Sequence, residues 1–142
     1  MEEKKPSRNY RDLIVWQEGI GLAKSIYKLT ENFPRHETYA LADQIRRAVV
    51  SVPSNIAEGQ ARKAPGDFRR FLYIALGSLA EVDTQLILAK EFGYLKLSDV
   101  DEVSGQIQNL RKKLYALINS LPDHKVRQPS TTYYRLERKD VH

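Results

Sequence analysis

Residues 68–89 read FRRFLYIALGSLAEVDTQLILA, and this stretch decides the fold of the chain. Its apolar residues recur at alternating steps of four and three, which is the heptad spacing of a helix that packs against other helices. The seam consists of Phe68, Leu72, Ala75, Leu79, Val82, Leu86 and Ala89. Pro65 suits the start of a helix and Gly93 suits its end. The pattern therefore predicts a helix over about residues 65–92.

A second heptad seam lies toward the C-terminus. It consists of Val103, Ile107, Leu110, Leu114, Leu117 and Leu121, and Pro122 closes it. Ser98 stands before acidic residues, including Asp101 three positions on, an arrangement typical of a helix N-cap with a negative first turn. We therefore predict a helix that begins at Ser98 and ends near Leu121.

Two further helices precede Pro65. The first, over about residues 10–32, has helical spacing of Leu13, Trp16, Ile20, Ala23, Tyr27 and Thr30, and Pro34 ends it. The second, over about residues 37–59, carries Leu41, Ile45, Ala48, Val49, Val52 and Ile56 on one face. Pro53 would either divide this helix or kink it. Because the apolar register continues unbroken across Pro53, we predict a kinked, continuous helix that Gly59 caps.

The predicted fold is all-α: an antiparallel up-and-down four-helix bundle over residues 10–121, with its second helix kinked at Pro53. We expect a flexible N-terminal arm over residues 1–9 and a basic C-terminal tail over residues 122–142, where Tyr133, Tyr134 and Leu136 could dock on a neighbour. On the third helix, apolar residues also flank the seam and predict an oligomer; they are Phe71, Ile74, Ile87 and Leu88.

Composition excludes several classes of function. The chain has 142 residues, 42% of them hydrophobic and 29% charged, as in a single soluble globular domain. It has no cysteine, which excludes disulfides and thiolate sites, and its three histidines are scattered in predicted loops and tails. We find no phosphate-binding loop and no Glu-x-x-His pair. The prediction is a cytoplasmic, non-enzymatic protein with no metal, no cofactor and no membrane segment.

Charge gives the compositional hint of a partner, since the formal net charge is +5. The excess is local, around the predicted link between helices two and three and on helix four. These cations form a candidate surface for nucleic-acid phosphates, and they are Arg62, Lys63, Arg69, Arg70, Arg111, Lys112 and Lys113. The competing interpretation is an ordinary solvated face.

Helix two also carries polar residues where a packed helix has few. A hairpin centred near residue 63 would place Asn55 opposite about Phe71 and Arg47 opposite about Ser78 to Glu81. We predict a buried ion pair of Glu81 with Arg47 or Arg46. The predicted structural polar network consists of Arg46, Arg47, Asn55, Glu58 and Glu81. The alternative is that Asn55, Glu58 and Arg62 line a cleft.

Several runs of this sequence closely resemble the bacterial "four helix bundle protein" family, which includes proteins encoded in intervening sequences of 23S ribosomal RNA genes. The runs are LIVW at 13–16, IYKLT at 26–30, Phe33-Pro34, QIRRAVVSVPSNIAEG at 44–59 and FLYIALGSLAE at 71–81. The resemblance covers roughly residues 10–121. It implies a four-helix bundle and a ring-like homopentamer, suggests a role in binding ribosomal RNA or other nucleic acid, and brings no catalytic residues with it.

Two functions remain as hypotheses. One is a non-enzymatic oligomer that binds RNA or DNA through its basic surface. The other is a structural or adaptor protein that binds another protein through its oligomeric surface. A continuous positive surface would favour the first, and an exposed apolar patch would favour the second.

Overall fold

The structure, a computed structural model, describes residues 9–122 and contains four α-helices. They are α1 (Ile14–Thr30), α2 (Leu41–Ala61), α3 (Pro65–Glu91) and α4 (Leu97–Ser120). Short 3₁₀ turns at Tyr10–Asp12 and Arg35–Glu37 precede α1 and α2. No strand occurs within this range, so the all-α four-helix bundle is confirmed. The predicted tail and nearly all of the predicted arm lie outside the described residues, and the domain boundaries stay predictions.

Each helix contacts the next along the chain, and α1 also contacts α4, so the four helices enclose one core. The contacts run in opposite order along α2 and α3. The Ser51 hydroxyl bonds the Ser78 hydroxyl, and Gly59 approaches Phe71 two turns further along α2. These contacts centre the register of the two helices near residue 65, about two residues beyond the predicted centre, although the link between Ala61 and Pro65 is itself centred on residue 63.

The third and fourth helices follow their predicted seams closely. Their buried side chains include Leu72, Ala75, Leu79, Val82, Leu86 and Ala89 on α3, with Val103, Ile107, Leu110 and Leu114 on α4. Gly93 follows α3 with φ +80°, a left-handed conformation that glycine adopts without strain. The Ser98 cap is wrong: α4 begins at Leu97, and the preceding Lys96 makes no side-chain cap.

Helix α2 continues through Pro53 without a break, and the structure does not test the predicted kink. Proline cannot donate to the carbonyl of Val49. The two next side chains instead bond neighbouring carbonyls: Ser54 Oγ donates to Val50 O at 2.8 Å, and Asn55 Nδ2 donates to Ser51 O at 2.7 Å. These polar side chains follow the proline and support carbonyls on its N-terminal side.

The predicted apolar face of α1 is wrong by about one residue. The buried positions are Val15, Gly19, Leu22, Ile26 and Thr30, whereas Trp16 and Ala23 are partly buried beside the core and Tyr27 is exposed. The reason is Gly19: a Cβ there would lie 3.3 Å from Pro53 Cβ, so the absence of a side chain lets α2 pack closely at this point. An analysis of large apolar residues cannot detect a contact that depends on having no side chain.

By length and composition α3 is also apolar enough to cross a membrane. Core helices of soluble proteins meet the same criterion, and one face of α3 is buried in this bundle. Localisation and the absence of a membrane segment stay predictions.

Candidate nucleic-acid interface

The site is built on a close contact between α2 and α3. A Cβ on Gly59 would lie 2.6 Å from Phe71 Cβ, a distance that real Cβ atoms essentially never show. Gly59 therefore lies within α2 and admits the side chain of Phe71; it does not cap the helix as predicted. Phe71 is buried by this contact and does not belong to the exposed apolar flank of α3.

Two arginines cover the Phe71 ring. The guanidinium carbon of Arg62 lies 4.8 Å from the ring centroid, and that of Arg70 lies 4.6 Å from it. Arg62 also donates to Glu58 Oε1 at 3.1 Å, one helical turn back. A guanidinium over an aromatic face gains cation–π attraction and keeps its planar donors available at the edge. The Phe71 ring thus orders two cations at the surface.

The remaining two cations near the link have different roles. Arg69 Nη2 donates to Pro122 O at 2.7 Å and reaches Leu121 O at 3.4 Å, so Arg69 satisfies carbonyls beyond the end of α4. Lys63 is exposed in the link and adopts φ +57°, the left-handed conformation that reverses the chain between α2 and α3. We call Arg62, Lys63, Arg69 and Arg70 the basic end.

The structure places the α4 cations apart from the basic end. Arg111 to Lys113 lie eight to ten residues before Leu121, which corresponds to about 12–15 Å along the helix. Arg111 packs against Tyr115 at 5.9 Å from the ring centroid and lines a cleft between α3 and α4. Lys113 forms an ion pair with Glu18 of α1. Lys112 is exposed, so Arg111 and Lys112 form a second, smaller group.

The predicted polar network is only partly assembled, and its central ion pair is wrong. Arg47 pairs with Asp43 within α2 at 3.2 Å, its side chain 80% exposed, and Glu81 is exposed. The register of the two helices allows residues 47 and 81 to approach, but both side chains point to solvent, and an exposed arginine needs no buried partner. Arg46 instead donates to Thr30 Oγ1 at 2.8 Å.

The polar contact that does join α2 and α3 involves two serines that the sequence analysis did not select. Ser51 and Ser78 share a 2.8 Å hydrogen bond, and Asn55 Nδ2 donates to Ser51 Oγ at the same distance. The only sign of this contact in the sequence was that both serines are small polar residues next to apolar seam positions. Asn55 and Glu58 each bond within α2. The network residues are thus used mainly in local contacts.

A second polar cluster lies at the opposite end of the bundle. Tyr94 Oη donates to Glu37 Oε1 at 3.1 Å, while Glu37 Oε2 accepts from the Leu41 backbone N–H and so caps α2. His36 Nε2 lies 3.4 Å from Tyr94 Oη. Loss of solvation, helped by the hydrogen bond and the charge of Glu37, raises the pKa of Tyr94 above the ordinary tyrosine value of 10.0. This cluster ties the α1–α2 link to the α3–α4 link.

Within residues 9–122, no three histidine, aspartate or glutamate residues lie together as metal ligands would. The α3–α4 cleft, of about 210 Å³, has Asp83 and Arg111 among its lining residues. The absence of enzymatic activity stays a prediction.

Over residues 9–122, the protein is therefore a bundle of four helices with a cation-rich end. Residues 11–116 match the family described as 23S rRNA-intervening sequence protein, and the chain belongs to that family. The predicted resemblance is confirmed. No curated protein matches the chain by sequence.

One solved structure shows the same fold. It is a crystal structure of a protein with unknown function, from the S23 ribosomal protein family, from Bacteroides thetaiotaomicron. Its TM-score is 0.70 at 22% sequence identity, over 75% of this chain and 96% of that one. At this identity the likeness establishes the bundle architecture.

Proposed function

We propose that this protein is a non-enzymatic homo-oligomer whose basic end binds the phosphates of RNA. The observation that carries the proposal is the position of Arg62 and Arg70 over the Phe71 ring. Both guanidiniums are already ordered, so phosphate binding costs less side-chain entropy than it would for free arginines. Lys63 adds an exposed charge beside them.

Not all seven predicted cations contribute equally to this proposal. Arg69 supports the end of α4, Lys113 pairs with Glu18, and Arg62 shares its charge with Glu58. Arg70 and Lys63 are therefore the cations of the basic end that neither hold a carbonyl nor pair with a carboxylate among the described residues. Arg111 and Lys112 supply a second contact about 15 Å along the bundle, which an RNA backbone spans in a few nucleotides. The family name refers to 23S rRNA, and we therefore propose RNA as the ligand, with duplex DNA as the comparison.

Self-association is the second part of the proposal. The outer face of α3 exposes Ile87 and Leu88, whose side chains are 50% and 40% accessible, beside the small residues Gly77 and Ala80. An apolar face of this kind favours an interface between copies. The resemblance implies a homopentamer. Five basic ends in one assembly would raise the overall affinity for RNA, because several weak phosphate contacts act together.

The test is binding of a structured RNA to the full chain with a matched pair of charge reversals. Lys63→Glu/Arg70→Glu changes the basic end and spares Arg69, whose loss would disturb α4. Lys90→Glu/Lys96→Glu makes the same change of charge at exposed positions toward the other end. We expect the first variant to lose at least ~10-fold in affinity and the second to bind as wild type, because close phosphate contacts outweigh screened distant charges.

Salt gives an independent measurement on the same samples. Affinity should fall ~10³-fold or more between ~50 and ~200 mM salt if six phosphates are neutralised across the assembly. Failure to bind at the lowest salt, or binding indifferent to salt and to both variants, would remove the proposal. The apolar face of α3 would then favour the adaptor hypothesis.

A further inference from the structure

A groove opens on the first turns of α3, and it shares Arg69 and Arg70 with the basic end. It has a volume of about 460 Å³ and is lined by Gly66, Arg69, Arg70, Tyr73 and Ile74. The side chains of Tyr73 and Ile74 are 52% and 40% exposed and give the groove a largely apolar surface. Arg69 and Arg70 lie at its edge. An apolar side chain with a carboxylate beside it would complement this groove.

The described part of the chain ends at the groove. Arg69 Nη2 holds the carbonyl oxygen of Pro122 at 2.7 Å, so the polypeptide leaves α4 in contact with a residue that lines the groove. Arg69 Nη1 is buried and has no hydrogen-bond partner within residues 9–122. Because surrounding atoms already cover this nitrogen, a carboxylate that enters the groove would instead meet the accessible rim formed by Arg69 and Arg70.

The following segment of sequence has the apolar side chains and the carboxylate that this groove would take. Residues 133–137 read YYRLE, with three large apolar or aromatic side chains and Glu137 directly after Leu136, and the nearby cations Arg135, Arg138 and Lys139 would have to stay in solvent. Ten residues separate Pro122 from Tyr133, and the eleven Cα–Cα steps between them span up to ~35–40 Å. The part of α3 that lines the groove, from Gly66 to Ile74, extends only ~12 Å along the helix. The segment can therefore reach every part of the groove of its own molecule.

We infer that the groove on α3 receives the segment Tyr133 to Leu136 of the same chain, with Glu137 placed to pair with Arg69. Docking of this segment covers Tyr73 and Ile74 and brings a carboxylate to the cationic rim of the groove. Arg62 and Lys63 of the basic end do not line the groove, whereas Arg70 belongs to both, so docking and RNA binding share Arg70.

Cysteine crosslinking in the full chain tests the inference, and the natural sequence contains no cysteine to interfere. Ile74→Cys/Leu136→Cys places one thiol in the groove and one in the segment. Ala116→Cys/Leu136→Cys is the matched control, because Ala116 is exposed on α4, equally close to the point where the chain leaves the helix. Under mild oxidation, we expect the first pair to form an intramolecular disulfide at least ~10-fold faster than the control.

A denaturing gel without reductant separates the outcomes. Equal rates for the two pairs would overturn the inference, and a covalent dimer of the first pair would assign the groove to a second copy instead. Acylation of tyrosines, followed by peptide mass mapping, needs no cysteine. Tyr133→Ser/Tyr134→Ser/Leu136→Ser should raise the reactivity of Tyr73 at least threefold and leave that of Tyr115 unchanged. An unchanged Tyr73 would also overturn the docking.

Discussion

A Cβ atom on Gly59 would lie 2.6 Å from Phe71 Cβ, so this close contact between α2 and α3 depends on a residue without a side chain. The same contact fixes Phe71 beneath Arg62 and Arg70. The packing of two helices and the placement of two surface cations therefore have one cause.

Gly59→Ala should destabilise the protein by about 1–3 kcal/mol, because the added methyl group forces the helices apart or moves Phe71. Gly105→Ala is the control: a Cβ there meets nothing within 4 Å, and alanine should stabilise this helical position by about 0.5–1 kcal/mol. Urea unfolding of both variants measures the difference. Equal stabilities would contradict the close contact.

Arg46→Ala should cost about 1–2 kcal/mol, since Arg46 bonds Thr30 Oγ1 and lies over the Tyr27 ring at 5.1 Å. Glu81→Ala should change stability by less than about 0.5 kcal/mol, as is usual for an exposed residue. Thermal unfolding of the two variants side by side is the measurement. A large loss of stability in Glu81→Ala would support the predicted buried ion pair of Glu81 with Arg47, although Arg47 pairs with Asp43 in the structure.

Arg69→Ala should release the carbonyls of Leu121 and Pro122 and loosen the last turn of α4. We expect faster amide hydrogen exchange at residues 117–121 and a stability loss of about 1–2 kcal/mol. Lys112→Ala, an exposed change on the same helix, should leave exchange at those amides unchanged. If both variants exchange alike, Arg69 does not support the end of α4.

Ile87→Asp should break the proposed oligomer without unfolding the bundle, because a charge on the exposed face of α3 opposes apolar contact between copies. Sedimentation equilibrium of the wild type should give a mass near five times 16.4 kDa. Ile14→Asp alters an equally exposed isoleucine on α1 and should keep that mass. A monomeric wild type at micromolar concentration would refute self-association.

Tyr94→Phe should lower stability at neutral pH by removing the hydrogen bond to Glu37. Because the pKa of Tyr94 is raised in the folded protein, its contribution is complete below the ordinary tyrosine value and is lost as the pH rises through the raised one. The stability difference between wild type and variant should therefore shrink only above about pH 10. Ultraviolet titrations of tyrosine ionisation in the wild type and in Tyr94→Phe should differ only above about pH 10, where Tyr94 loses its proton. A difference with its midpoint at or below about pH 10 would contradict the raised pKa.

The helices of this protein were predictable where a periodic pattern repeats. The seams of α3 and α4 extend over many turns, and the side chains at these positions are mostly buried. The candidate cations near the α2–α3 link were also predictable as a group, since residues close in sequence at a tight turn stay close in space. Their individual roles were not predictable: Arg69 and Arg70 are adjacent, yet one supports α4 and the other covers Phe71.

The sequence by itself determined the class of fold, because hydrophobic periodicity and helix-ending residues act over a few turns of chain. Tertiary structure decided the face of α1, the register of α2 against α3 and the partner of each arginine. These features depend on the small residues Gly19 and Gly59, where the absence of a side chain sets the distance between helices. Arg47 and Glu81 both face solvent, so the polar contact between α2 and α3 is the hydrogen bond between Ser51 and Ser78, because side chains of neighbouring helices meet only where both face the interface.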